Sequence, residues 1–244
     1  MADRLQGAVV LVTGAGGGIG AALTQALWAA GAGEIICAGR GPLAAADGLT
    51  PEVVDVTDAA SVQALAVRCA DRVSVVIHCA GINANQRLFT PGFEAAARRE
   101  METNYFGLLH LAAAFAPPMQ ARGSGLFVNL LTFLSHVNLP TMASYCASKA
   151  AAHSLTQALR AELRRSGVQV CGVYPSVVDT AMSQHIPGPK LAPADLAQAI
   201  VAAIQAGDDH VYPGAAAGVY QQYLADPQAI EARMASRLPG QEDS

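Results

Sequence analysis

Charge is scarce in this sequence. Asp, Glu, Lys and Arg make up 14% of 244 residues, with 15 basic against 19 acidic side chains and a formal net charge of −4. With no long basic run, the chain lacks the electrostatic footprint that nucleic acid or an anionic membrane requires, so neither is expected as a partner. Five cysteines, Cys37, Cys69, Cys79, Cys146 and Cys171, are scattered without a CxxC pair. That pattern argues against a disulfide framework or a zinc site, and it fits free thiols in a reducing compartment. No apolar stretch reaches the ~18–20 residues of a bilayer span, and the apolar run in MADRLQGAVVLVTG is too short for a signal peptide. A cytoplasmic location is expected, with no metal.

Internal repeats, low-complexity linkers and shifts of composition are also lacking. One domain over residues 1–244 is expected, ending in a polar tail over 236–244. Apolar material, by contrast, is plentiful at 52% of residues, enough for a large core. Short Val/Ile-rich runs predict strands at 8–13, 34–38, 53–55, 73–79, 125–131, 169–174 and 210–212. Longer Ala/Leu-rich segments predict helices at 19–30, 59–69, 93–115, 144–165 and 193–206. Continuous apolar strands joined by helical crossovers imply an α/β fold: a single-domain doubly wound (Rossmann) parallel sheet of about seven strands with helices on both faces.

The first strand runs into Thr13-Gly14-Ala15-Gly16-Gly17-Gly18-Ile19-Gly20, and a helix with Leu23, Leu27 and Trp28 follows. Glycines let the backbone turn tightly and approach a pyrophosphate, and the helix N-terminus offers unpaired N–H groups and a positive dipole end. Gly14, Gly16, Gly18, Ile19 and Gly20 therefore read as a dinucleotide cradle. Further along come Asp55-Val56 after the third strand, Cys79-Ala80-Gly81 after the fourth, Asn104, Tyr145-x3-Lys149, and Pro175 to Thr180 after the sixth. With the Gly-x3-Gly-x-Gly spacing, this series resembles the short-chain dehydrogenase/reductase family over nearly the whole chain.

The resemblance implies a nicotinamide-dependent oxidoreductase that interconverts a carbonyl and an alcohol. It implies cofactor contacts at Asp55 and Val56 (adenine), Ala80 and Gly81, Pro175, Val178 (nicotinamide amide) and Thr180 (pyrophosphate). Asp55 also stands where a helix N-cap is favoured, and the sequence leaves both roles open. The second strand ends Ala38-Gly39-Arg40. It lacks the carboxylate that would accept from a ribose 2′-OH and repel a 2′-phosphate, while Arg40 can pair with that phosphate, stack on adenine or stay solvated. NADP(H) is expected in preference to NAD(H).

Tyr145 and Lys149 stand four apart, so on a helix they share one face about one turn, ~6 Å, from each other. A phenol with a pKa of about 10 is a poor base until a nearby ammonium stabilises its phenolate. Tyr145 can then give a proton to a carbonyl oxygen or take one back. By the resemblance Lys149 also holds the nicotinamide ribose, and Asn104 holds a water in a proton relay from a distorted helical site, besides bonding neighbouring backbone. Where the family has a serine that polarises the substrate oxygen, this sequence has Thr132, which keeps the hydroxyl on a stiffer, bulkier side chain. Ser135 is the rival donor. His78 stands where an asparagine is usual, as a buried brace of the sheet centre.

Ser176 replaces a common glycine and is expected to tighten the pocket floor. Residues 181–192, with Pro187-Gly188-Pro189, fall where the family has a mobile substrate lid. Leu134, Val137, Leu139, Met142, Tyr174, Met182 and Ile186 are expected to form an apolar wall suited to a small hydrophobic ketone, aldehyde or secondary alcohol. Helices 93–115 and 144–165 are the expected faces of a homodimer or homotetramer. Two rival readings remain at this level: a cofactor-binding regulatory protein of the same fold, and an epimerase or dehydratase that recycles its cofactor. The charge argument at Arg40 gives the first test. The protein is expected to use NADPH with higher kcat/KM than NADH, and Arg40→Ala to erode that preference by about tenfold or more; equal use of both cofactors by the unmutated protein would contradict it.

Overall fold

The computed structural model describes residues 4–238. Seven strands, β1 (Val9–Thr13), β2 (Glu34–Gly39), β3 (Leu49–Val53), β4 (Val75–His78), β5 (Gly125–Leu130), β6 (Val168–Val173) and β7 (His210–Val211), pair in the order β3-β2-β1-β4-β5-β6-β7. Every pairing is parallel. Crossovers are carried by α1 (Gly18–Ala29), α2 (Ala59–Cys69), α3 (Phe93–Met101), α4 (Gly107–Arg122), α5 (Ala143–Leu163) and α6 (Pro193–Ala206). This is the doubly wound architecture read from the strand and helix pattern.

The strands are apolar at nearly every position because both faces are covered, yet the period of two still sorts the side chains. Val10, Val12, Ile35, Cys37, Ile77 and Val128 pack with Leu23 and Leu27 of α1 and Ile200 and Ile204 of α6. The intervening Leu11, Ile36, Val76, Phe127 and Val170 pack against Val62 and Leu65 of α2 and Leu111, Phe115 and Met119 of α4. Strand order reverses between β1 and β4, and in such sheets the crevice outside the carboxyl ends at that point receives ligands. The glycine loop and the turn at residues 79–81 both open there.

Three differences from the sequence expectation have physical causes. β3 lies at Leu49–Val53 rather than 53–55, as an edge strand of half-buried residues that tolerates Pro51 and shows no apolar run. The helix expected over 93–115 is broken by a π-helical turn, Glu102–Phe106, and then continues to Arg122 through Pro117 and Pro118. Two C-terminal helices, α7 (Ala216–Ala225) and α8 (Pro227–Ala235), were not read from the pattern. Their junction carried a usable signal, since the Asp226 side chain caps Ala229 N–H and Pro227 fills the first turn. Of the expected tail, residues 239–244 lie outside the described residues.

Among the described residues no helix is long and apolar enough to cross a membrane. Burial sets the expected cost of truncation. Phe127 is 0% exposed at the centre of β5, whereas Val67 on α2 is 78% exposed. In denaturant titrations Phe127→Ala is expected to lose about 3–5 kcal/mol of stability, and Val67→Ala to stay within about 0.5 kcal/mol of the parent; comparable losses in the two would contradict this placement of the core.

Candidate active site

The glycine loop is shaped by what it must lie against. Gly14 has φ +68°, and a Cβ there would stand 2.8 Å from the backbone of Ala80, so the loop after β1 and the turn after β4 touch main chain to main chain. At Gly18 a Cβ would come within 3.2 Å of Thr180, so the glycine loop also meets the loop after β6. The first turn of α1 has no side-chain cap and no acidic residue, which leaves its N–H groups free for an anion. Gly16 and Gly20 complete the loop, with Ile19 half-buried beneath it.

Arg40 is exposed just past β2 and forms no salt bridge among the described residues. Asp55 accepts from the backbone N–H and hydroxyl of Thr57 at 2.9 and 2.8 Å. These bonds, helped by the charge of Arg40, hold its carboxyl below the usual carboxylate range. The N-cap of α2 is Asp58, not Asp55, so the capping role left open in the sequence goes to its neighbour. Val56 is buried, and its carbonyl meets His110 Nδ1 at 2.9 Å.

Tyr145 and Lys149 lie on the first turns of α5, at the carboxyl ends of β4 and β5. Lys149 is 5% exposed; its Nζ donates to the Leu130 carbonyl at 2.8 Å and sits 6.0 Å from the centre of the Tyr145 ring. Burial pulls the ammonium down to about 8. The phenol moves contrary to the sequence expectation. Burial, reinforced by charge at Cys146 and Glu100, raises it above the ordinary tyrosine value, because a phenolate so enclosed loses its hydration.

Asn104 occupies the π-helical turn and is fully buried. Its Oδ1 accepts from Ile82 N–H at 2.9 Å, and its Nδ2 donates to Ile82 O at 3.0 Å and to Ser148 Oγ at 2.8 Å. Ser148 in turn donates to Tyr145 O at 2.8 Å. These bonds are the backbone-bracing part of the expected role. The sequence reading missed Ser148, although a serine beside Lys149 on the same helix was the available signal. Gly81 lies between the two groups: a Cβ there would come 3.2 Å from Asn104 Oδ1 and 3.4 Å from Lys149 Nζ.

His78 is buried as expected, but only half satisfied. Nδ1 meets Thr13 Oγ1 at 3.2 Å, while Nε2 has no hydrogen-bond partner among the described residues. Burial and the Lys149 charge push it down to about 3, opposed by the backbone of Asn104, so the ring is neutral.

Thr132 and Ser135 are both buried in the loop after β5 and bond to each other's backbone. Thr132 Oγ1 accepts from Leu134 N–H at 3.3 Å and reaches Pro175 O at a long 3.4 Å; Ser135 Oγ accepts from Thr132 N–H at 3.3 Å. The apolar wall is partly assembled. Leu134, Tyr145 and Ile186 pack against Val137, Leu139 and Met142, together with Ile230 and Met234 of α8. Tyr174 does not join it: fully buried, it bonds His153 Nδ1 at 2.8 Å and packs with Leu108, Leu131 and Ala152. Met182 is 42% exposed, outside the wall. Ser176 is half-buried and Val178 buried. Segment 181–192 begins with a short 3₁₀ turn whose N-cap is Thr180, and near its end Leu191 is tied to Val177 O at 2.9 Å and to Asp179 N–H at 2.9 Å.

Residues 8–190 match the short chain dehydrogenase family. The chain is 39% identical over 194 residues to a galactitol 2-dehydrogenase (L-tagatose-forming) of Cereibacter sphaeroides, covering 74% of this chain and 75% of that protein. It is 31% identical over 215 residues to an uncharacterized oxidoreductase of Staphylococcus haemolyticus, covering 82% and 92%. Among solved structures, a short chain dehydrogenase from Burkholderia cenocepacia in complex with NADP is similar with a TM-score of 0.90 at 39% identity, covering 94% of this chain and 98% of that one. A gluconate 5-dehydrogenase of the same species, in complex with NADP and tartrate, gives 0.79 at 26% identity, covering 88% and 98%. With glycine loop, π-helical asparagine and Tyr-x3-Lys face brought to one end of one parallel sheet, this chain belongs to the short-chain dehydrogenase family of oxidoreductases.

Proposed function

We propose that the protein is a cytoplasmic NADP(H)-dependent carbonyl reductase, or alcohol dehydrogenase in the reverse direction, acting on a small hydrophobic substrate with Tyr145 as general acid/base. The observation that carries the reading is the buried Lys149 ammonium beneath Tyr145, beside a glycine loop whose helix end is free for an anion. The residues fit the cofactor. Gly14, Gly16, Gly18, Ile19 and Gly20 would cradle the pyrophosphate with Thr180, Asp55 and Val56 would meet adenine, and Arg40, with no carboxylate at Gly39, would take a 2′-phosphate. Ala80, Gly81, Pro175 and Val178 would line the nicotinamide half. The NADP bound by the Burkholderia relative supports the choice.

When bound, the nicotinamide supplies or accepts the hydride at the substrate carbon. Tyr145, held neutral by burial, delivers its proton to the carbonyl oxygen as negative charge develops there. Lys149 steadies the phenolate left behind and holds the nicotinamide ribose, while Asn104 and Ser148 fix the turn of α5 that carries both. Asn104 also holds the water of the proton relay. Thr132 donates to the substrate oxygen by giving up its long bond to Pro175 O, while Ser135, whose Oγ accepts from Thr132 N–H, stands as the rival hydroxyl. Leu134, Met142 and Ile186 bound the substrate's apolar side, Ser176 its floor, and Met182 swings in with the lid 181–192. A homodimer or homotetramer through α4 and α5 completes the reading.

Two measurements test it. In assays following NADPH absorbance against apolar ketones, aldehydes, diketones and ketoses, Tyr145→Phe is expected to lose about 10²–10⁴-fold in kcat/KM and Thr132→Ala about 10–10³-fold, with Ser135→Ala near the parent. Full activity in Tyr145→Phe, or losses reversed between the two hydroxyls, would overturn the assignments. The second is the pH dependence of NADPH binding. Below about pH 8 Lys149 is charged whether cofactor is bound or not, so affinity is flat. Above it binding must take up a proton, and affinity falls by up to about tenfold per unit until the bound-state pKa is passed. In Lys149→Met this slope is expected to vanish in fluorescence titrations; an unchanged slope would assign the proton elsewhere.

A further inference from the structure

Glu100, near the end of α3, is 1% exposed, and nothing in the reading above uses it. Its Oε1 accepts from the backbone N–H of Ala84 at 2.7 Å, while Oε2 is enclosed and has no hydrogen-bond partner among the described residues. A buried carboxylate with one bare oxygen is costly, and an apolar side chain of similar size would avoid that cost.

The surroundings give it a role. Glu100 and Asn104 grip successive points of one segment: Asn104 binds both the N–H and the C=O of Ile82, and Glu100 binds the N–H of Ala84. The other side of that segment meets the start of α5. There Asn83 Nδ2 lies 3.3 Å from Met142 Sδ, and Ala143 N–H donates to Gln86 O at 3.2 Å, just ahead of Tyr145. Segment 82–86 is thus a strap between α3 and the helix that carries the acid.

The charged and titratable groups that act here are Cys146 and Glu100 about Tyr145, and His78 and Cys79 about Lys149, while Tyr220 and Tyr223 of α7 share the apolar cluster of Tyr145. Lys149 faces Leu130 O and lowers His78. The negative charge of Glu100 acts in the opposite sense, raising both Tyr145 and Cys146. We propose that Glu100 is a positioning residue of this site: through Ala84 N–H its carboxylate holds segment 82–86 against the Tyr145 helix, and it sets a negative charge on α3 where that helix packs. This rests on Tyr145 being the acid.

Glu100→Gln keeps an oxygen for Ala84 N–H and removes only the charge; Glu100→Ala removes both. In protein labelled with difluorotyrosine, whose phenol ionises nearer neutrality, the fluorine resonance lost in Tyr145→Phe titrates this side chain without any turnover. The midpoint is expected to fall by about 0.5–1 pH unit in both Glu100 variants. Amide hydrogen exchange at Ala84 is expected to stay at the parent rate in Glu100→Gln and to rise by about tenfold or more in Glu100→Ala. Equal midpoints in parent and Glu100→Gln, or unchanged exchange in Glu100→Ala, overturn the proposal. If Tyr145 is not the acid, Tyr145→Phe keeps the parent's carbonyl reduction while the midpoint still shifts in the Glu100 variants, so the two failures are told apart.

Discussion

Lys149 carries its ammonium into the protein and sets it 2.8 Å from the carbonyl of Leu130, the last residue of β5. A cation placed there is expensive, since an unpaired buried ion costs several kcal/mol, and the architecture around it is arranged to make that placement tolerable. The carboxyl ends of parallel strands bring the Leu130 oxygen to it. Gly81 has no side chain because Asn104 and Lys149 stand on either side. His78 is neutral partly because the ammonium faces it, and the Cys79 thiol is pushed up to about 12 by burial against a weaker pull from the same charge. A depressed lysine and an elevated tyrosine share one helical face, so the ammonium proton becomes movable near pH 8 while the phenol keeps its own.

The parts of this arrangement that were legible in the sequence are those fixed by local chemistry. The glycine loop after an apolar strand, the four-residue spacing of Tyr145 and Lys149, and the alternation of apolar runs with Ala/Leu-rich segments each follow from short-range rules, and the seven-stranded parallel sheet and α2 and α6 came out as read. The parts that were not legible depend on tertiary surroundings. No spacing rule tells that the phenol rises rather than falls, because the sign is decided by how dry the pocket is. β3 was read at 53–55 instead of Leu49–Val53 because an edge strand needs no apolar run to mark it. The π-helical turn at Asn104 has no composition signal of its own and was expected as a distortion only through the family resemblance; its wide hydrogen bond runs from Gly107 N–H to Glu102 O.

The C-terminal third supplies a support that the motifs do not describe. Tyr174, Tyr212 and Tyr220 stack in a column, with ring centres 4.8 and 3.9 Å apart, and the column runs from β6 through β7 to α7. His136, one residue beyond Ser135, packs against Tyr174, Tyr212, Tyr220 and Tyr223, and burial pushes it down to about 4, so it stays neutral. The loop bearing Thr132 and Ser135 is therefore held from behind by aromatic rings, while segment 82–86 is held by Glu100 and Asn104. The two walls beside Tyr145 are fixed by different means, one apolar and one electrostatic, the double support that a closely positioned side chain needs.

The most direct measurement follows the hydrogen itself. NADPH carrying deuterium at the transferable position of the nicotinamide is incubated with the protein and a carbonyl compound it turns over, and the alcohol is analysed by mass spectrometry and NMR. Deuterium on the carbinol carbon, formed by the unmutated protein and at a rate lower by orders of magnitude in Tyr145→Phe, is the expected result. Alcohol without the label, or labelled alcohol formed equally fast without the Tyr145 hydroxyl, would contradict the assignment of this tyrosine and its buried lysine as the acid/base centre.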